Sequence, residues 1–259
     1  MRLPLWLQSA RHRVARLRAR VAERIRFRYD EHGVRIPPPH LMFLVSGRRD
    51  VAWFLSSGEL GARSLQDILG KNAIEIATLD SILDFGCGIG RVLRHLPALT
   101  GARLFGCDYN RKLIAWCRAR LPFAAFSISR AQERLEYNDA SFDLVYALSV
   151  FTHFTETQHK FWIGELRRIL RPGGYLFLTT HGKYYEDQIP DHLRKRFRDG
   201  EFVVAEPDRA GQNICAAFHP EKYVRGELAR GWDIIDFVEQ GALGNPRQDV
   251  YLLRKPIHA

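Results

Sequence analysis

Residues 82–91 read ILDFGCGIGR: an apolar run carries Asp84 near its end and passes without interruption into Gly86, Gly88 and Gly90. A run this short, ending in turn residues, reads as a strand. Three glycines in five positions leave a backbone that can take positive φ and approach a bound group with no side chain in between. A helix is expected over residues 91–96, its first free amides facing a negative group such as a carboxylate or a phosphate.

Spacing narrows the ligand. The dinucleotide pattern GxGxxG has its third glycine where this chain has Arg91, and the order here is D-x-G-x-G-x-G. A carboxylate directly ahead of the glycines repels a pyrophosphate and accepts hydrogen bonds from an ammonium. The loop therefore suits a nucleoside that bears an amino acid. In LFGCDYN a second acid, Asp108, ends the next apolar run, where a carboxylate can accept hydrogen bonds from both ribose hydroxyls. Taken alone, Asp108 and Asn110 read equally well as turn residues.

Around these acids short apolar runs alternate with helical patterns. Strands are expected at 81–85, 103–107, 123–128, 142–148 and 175–180, and helices at 91–96 and 111–121. Asn110 caps the second of these helices, and Thr155 with Gln158 has capping-box spacing for a third, which stops at Arg171-Pro172-Gly173-Gly174. This alternation predicts an α/β fold with a parallel sheet covered on both faces. Before it, residues 51–55 and 62–69 carry helical patterns interrupted by Gly47, Gly58, Gly61 and Gly70, expected as short helices capping the sheet. After it, 181–218 reads as a polar, Arg-rich, irregular insertion, 220–230 as helical, and 234–238 and 250–253 as two closing strands.

The run of motifs resembles the class I S-adenosylmethionine-dependent methyltransferases, in particular the group acting on small molecules, over residues 80–180. The resemblance implies a Rossmann-like, doubly wound, seven-stranded, mostly parallel sheet with an antiparallel final strand. It also implies S-adenosylmethionine as cofactor. Asp84, Gly86, Cys87, Gly88 and Gly90 then hold its methionine end, Asp108 its ribose and Tyr109 its adenine face. Gln132 would meet the adenine edge, although Ala131 stands where the family often has an acid, and Ala147 ends the fourth strand beside the cofactor. FDLVYALSVFTHF, residues 142–154, resembles the fourth-strand motif whose following loop faces the methyl group; LRPGGYLFLTTHG, residues 170–182, resembles the helix-turn-strand signature.

Methyl transfer from a sulfonium is an in-line displacement that asks mainly for alignment in a dry pocket. A base is needed when the nucleophile is a hydroxyl. His153 is the candidate, with His181 second; the plain alternative is that His153 only packs or bonds within its own loop. Phe151, Phe154, Tyr184, Tyr185, Trp53 and Phe54 either line an acceptor pocket or fill core. The expected acceptor is a small molecule or a saccharide, methylated on oxygen or nitrogen.

The net charge of +10 comes mostly from residues 1–28, where nine arginines face Glu23 alone, so the rest of the chain stays near neutral. Ala10, Val14, Leu17, Val21 and Ile25 recur at helical spacing among these arginines. Such an amphipathic basic helix can lie on an anionic membrane, dock on the protein or a second subunit, or touch nucleic acid. Pro37, Pro38 and Pro39 are expected to link this arm (1–39) to a methyltransferase domain (40–259). That domain divides into a cap (40–79), a cofactor-binding core (80–180), a substrate-side insertion (181–218) and closing strands (219–259). Four cysteines without a CxxC pair suggest neither a disulfide framework nor a metal site. With no long apolar run or secretory leader, a cytoplasmic chain is expected, with peripheral membrane contact through the arm as an option. Two other readings share the sheet: a nicotinamide-dependent oxidoreductase, against which Arg91 counts, and a nucleic-acid methyltransferase, against which Ala147-Leu148-Ser149-Val150 counts. A scaffold without turnover is the third.

Overall fold

A computed structural model describes residues 29–211, 214–244 and 247–257. The amphipathic arm expected at the start lies in residues 1–28, outside the described residues. The first elements are helices α1 (Pro39–Ser46) and α2 (Val51–Lys71). Strands β1 (Ser81–Phe85), β2 (Arg103–Asp108), β3 (Ala124–Ile128), β4 (Phe142–Ala147) and β5 (Leu170–Thr180) follow, with α3 (Arg111–Arg120) between β2 and β3 and α4 (Glu156–Ile169) between β4 and β5. Next come α5 (Asp191–Arg198), β6 (Val203–Ala205), β7 (Ala216–Phe218), a helical stretch made of Glu221–Tyr223 and a π-wound Val224–Leu228, and finally β8 (Asp233–Val238) and β9 (Asp249–Arg254).

Seven strands form one sheet in the order β3-β2-β1-β4-β5-β9-β8, and β9 runs antiparallel to both of its neighbours. The other pairings along the sheet are parallel. This is the doubly wound, mostly parallel sheet with an antiparallel final strand. Period-2 alternation sends Ile82 into a core shared with α2 and α3, and Leu83 and Phe85 into a core shared with α4 and the 223–228 segment. The chain order reverses between β1 and β4, so a crevice opens at their carboxyl ends.

The expected helix at 91–96 is not α-helical. Turns lead into a 3-10 segment, Leu93–Ala98, with Pro97 inside it. Pro97 has no N–H to give, and its ring would collide with the carbonyl four residues back, which favours the tighter winding. The glycines of the cap also act differently from expectation. Helix α2 runs unbroken through Gly58 and Gly61, capped by Asp50, which accepts from the Ala52 and Trp53 amides at 2.9 and 3.3 Å. A methyl group on Gly58 would fall on the Arg91 carbonyl oxygen, and one on Gly61 would come within 2.9 Å of Val92. These glycines let α2 lie directly on the chain behind the β1 loop.

Residues 29–38 are not a free linker either. Arg94, only 1% exposed, meets Asp30 at 3.6 Å and donates to the Arg35 carbonyl at 2.6 Å, while Val34 and Ile36 pack on the core. Burial pushes the Arg94 guanidinium down to about 10, with Asp30 opposing the shift. The prolines instead start a helix: Pro39 is the first residue of α1, where a missing N–H costs nothing. The stretch read as irregular carries α5 and the β6–β7 pair over a small core of Tyr185, Ile189, Phe197, Val203 and Phe218. No helix among the described residues is long and apolar enough to cross a membrane.

The close approach of α2 gives a direct test by urea denaturation. Gly58→Ala is expected to cost about 2 kcal/mol or more through overpacking. Gly70→Ala, where an added Cβ meets nothing within 4 Å, is expected to gain roughly 0.5–1 kcal/mol from helix propensity.

Candidate active site

The crevice holds a cavity of about 1080 Å³. Its walls come from the β1 loop (Asp84 to Gly88, Arg91), the β2 end (Asp108 to Arg111), the β3 end (Ile128 to Ala131), the β4 loop (Leu148 to Val150, His153, Phe154), and α1 and α2 (Leu44, Arg48, Trp53, Leu60). Of the expected site residues, Asp84, Gly86, Cys87, Gly88, Asp108, Tyr109 and His153 line it together, and His181 joins them.

Three do not. Gly90 turns the chain at φ 69° against Leu121, where a Cβ would come within 2.6 Å of its Cδ1. Ala147 is fully buried in β4, so the wall begins one residue later, at Leu148. Gln132 takes φ 53° and lies off the cavity, leaving Ser129, Arg130 and Ala131 as the wall beside Asp108. Among the aromatics, Trp53 and Phe154 reach the cavity. Phe54 and Phe151 are core, Tyr185 packs within the insertion, and Tyr184 lies exposed beneath Arg247.

The loop amides are taken up within the protein. Gly86 and Cys87 N–H both donate to the Cys107 carbonyl (2.8 and 2.9 Å), and Gly90 N–H donates to the Cys87 carbonyl (2.9 Å). Gly88 N–H donates to Asp108 Oδ2 at 3.0 Å, and Asn110 N–H to Asp108 Oδ1 at 2.8 Å. The glycines therefore serve by conformation and thinness. Gly86 and Gly88 sit at φ 78° and 56°, and a methyl group on Gly86 would strike Val150 of the β4 loop.

Charge in the site is carried by side chains. Asp84 is 4% exposed, and burial raises its carboxyl to about 7; the Tyr146 hydroxyl and Arg91 pull it down, and Asp108 pushes it up. Arg91 donates to the Ser57 carbonyl at 2.8 Å and faces Asp84, and its own burial lowers its affinity for its proton. Burial likewise raises Asp108, against the two amide bonds it accepts. Each Asp108 oxygen keeps a second lone pair for a hydroxyl donor.

The two histidines differ in what their bonds leave over. His153 Nδ1 lies 2.7 Å from the Cys215 carbonyl, which can only accept, so Nδ1 carries the proton and Nε2 is bare in the neutral ring. Burial lowers its pKa, with that carbonyl opposing. His181 Nδ1 faces the Ala217 carbonyl at 3.2 Å, and its Nε2 takes the Gln248 amide at 3.3 Å. Burial and then the His153 charge push it down to about 3. Both ring nitrogens of His181 are engaged, so His153 is the group with a free lone pair.

Gln248 also donates to Ser149 Oγ (2.6 Å) and accepts from Thr179 Oγ1 (2.6 Å), tying the β4 loop to β5 and β9. No local pattern around Gln248 signals this, because its partners lie far away in sequence. Gly211 N–H donates to the His153 carbonyl at 2.7 Å, so the insertion holds both the backbone and the ring of His153.

The family profile described as a methyltransferase domain matches residues 83–178, the segment that contributes both acids and His153. Residues 83–178 thus carry a methyltransferase domain, and the S-adenosylmethionine-dependent methyltransferases among its relatives support the class I reading. The chain is 28% identical to a probable S-adenosylmethionine-dependent methyltransferase of Mycolicibacterium smegmatis, over 66% of this chain and 68% of that protein. It is also 28% identical to the sterol 24-C-methyltransferase of Schizosaccharomyces pombe, over 60% of this chain and 42% of that one. The chain spans less than half the length of the sterol methyltransferases it matches. Among solved structures, a methyltransferase from Methanosarcina mazei superposes with TM-score 0.54 at 23% identity, covering 74% of this chain and 98% of that one. The glycopeptide N-methyltransferase MtfA in complex with S-adenosylmethionine gives 0.53 at 15%, covering 76% and 94%. These structures share the fold. The methyltransferase domain match counts against the nicotinamide reading.

Asp84 provides a pH test in the ligand-free protein. Its folded pKa is about 7, above the ordinary 3.8, so its stability contribution is lost as pH rises from about 4 to 7. The stability of Asp84→Asn minus that of the wild type is expected to increase by roughly 2–4 kcal/mol between pH 4 and pH 8, read from urea unfolding. A flat difference would mean that Asp84 ionises freely.

Proposed function

We propose that the protein transfers a methyl group from S-adenosylmethionine to a hydroxyl oxygen of a small organic acceptor. The observation that carries this reading is the convergence of Asp84, Asp108 and the bare Nε2 of His153 on one cavity from three different strand ends. The residues fit the cofactor. Asp84 beside Arg91 offers an acceptor and a donor to the ammonium and carboxylate of an amino acid, and Asp108 offers two oxygens to a ribose. Tyr109, 59% exposed, offers its ring to adenine, and Ser129 to Ala131 offer the polar edge expected of Gln132.

The cofactor supplies an electrophilic methyl group on a sulfonium, with a neutral thioether as the leaving group. His153, kept neutral by burial and oriented by the Cys215 carbonyl, takes the hydroxyl proton on Nε2. Phe154, Trp162 and Val150 exclude water beside it. Within this reading residues 40–79 cap the site, 80–180 bind the cofactor, 181–218 hold the base and 219–259 close the sheet. Residues 1–28 are proposed to touch an anionic membrane surface.

S-adenosylhomocysteine is expected to raise the melting temperature where the nicotinamide dinucleotides do not. Asp84→Ala and Asp108→Ala should each weaken its binding about 10–100-fold, the worth of a charged hydrogen bond; unchanged affinity in both would refute the assignment. His153→Ala should lower the rate of methyl transfer to a naphthol about 10²–10⁴-fold while binding S-adenosylhomocysteine normally. Retained turnover would leave His153 a packing residue.

A further inference from the structure

The cavity wall is one-sided in charge. Asp84 and Asp108 are the only acids among the described residues that line it, and the proposed function commits both to the cofactor. Its bases are Arg48, Arg91, Arg111 and Arg130, with His153 and His181 kept neutral. Arg91 lies against Asp84, Arg130 pairs with Glu133 at 3.3 Å, and Arg111 stands at the β2 end beside Tyr109. Arg48 and Arg111 make no ion pair with a described residue, and Arg111 stands on the cofactor side. Arg48 belongs to the turn between α1 and α2, its guanidinium 5.2 Å over the Trp53 ring. The wall that α1 and α2 supply there is mixed, with Leu44, Trp53 and Leu60 beside Ser46, Ser56 and Ser57.

We infer that the acceptor is an apolar molecule carrying a negative charge besides the hydroxyl that is methylated, and that Arg48 receives this charge. The inference rests on the methyltransferase reading above and narrows its acceptor. A guanidinium held over an indole can grip a carboxylate by two parallel hydrogen bonds. Trp53 and the leucines cover the acceptor's apolar body. An ammonium in the same place would lose water, meet arginines and find no carboxylate that the cofactor leaves unused. In the step itself the acceptor oxygen forms its bond to the methyl carbon as the carbon–sulfur bond breaks, sulfur keeps that electron pair, and the hydroxyl proton passes to His153 Nε2. The distant negative group is unchanged.

Three probes with one ring and one hydroxyl test this by calorimetric titration into protein saturated with S-adenosylhomocysteine: hydroxynaphthoic acid, naphthol and an aminomethyl-naphthol. The acid is expected to bind at least tenfold more tightly than naphthol, and the amine most weakly. Arg48→Gln should erase the advantage of the acid, Arg48→Lys should retain part of it, and both should leave naphthol and S-adenosylhomocysteine binding unchanged. Equal binding of the three probes, binding of none, preference for the amine, or an advantage that survives Arg48→Gln would each overturn the inference. Failure of S-adenosylhomocysteine to bind would instead defeat the underlying reading.

Discussion

A carboxylate buried at the end of the central strand is the constraint on which the site depends. Asp84 belongs to β1, whose five residues are all buried, and its proton is held to about pH 7 because the surroundings solvate its charge poorly. The fold tolerates this group by placing the Tyr146 hydroxyl and Arg91 beside it, without neutralising it fully. In the proposed function an incoming ammonium completes what the protein leaves undone, so that poor solvation in the free protein becomes affinity for a cationic partner.

Holding that wall in place takes packing from outside the sheet. Gly58 and Gly61 let α2 rest on the Arg91 backbone and the Val92 side chain, which fixes Arg91 through the Ser57 carbonyl and brings Trp53 to the cavity. Arg94 anchors the same stretch from below, through Asp30 and the Arg35 carbonyl. The chain before the sheet is therefore part of the site. Its arginines and aromatics give the acceptor side a character distinct from that of the acidic cofactor side.

On the opposite wall His153, the proposed base, is held by the insertion. Cys215 sets the tautomer of His153, Gly211 fixes its backbone, and the buried His159 donates to the Phe151 carbonyl at 2.9 Å from behind the turn. The β4 loop alone would leave this ring free to rotate. Gln248 meanwhile occupies the second nitrogen of His181, which separates two histidines that look alike in the sequence.

The sheet was legible because its signals are local. Period-2 and period-3.6 apolar patterns, the Asn110 cap, the Thr155–Gln158 box and the acid-glycine spacing each act within a few residues, and the structure places them as expected. Misreadings came where a distant neighbour decides. Gly58 and Gly61 looked like helix breaks, and only their contact with residues 91 and 92 shows them to be packing positions. Residues 91–96 are the exception, since the signal against an α-helix, Pro97, is local. No local pattern shows that β2 takes up the amides of Gly86, Cys87 and Gly88. The sequence by itself determined the order of strands and helices and the two acids at strand ends, since periodicity and turn chemistry are properties of neighbouring residues. Tertiary structure alone decided which histidine keeps a free lone pair and which wall of the cavity Trp53 joins, because each answer depends on hydrogen-bond and packing partners brought together from far along the chain.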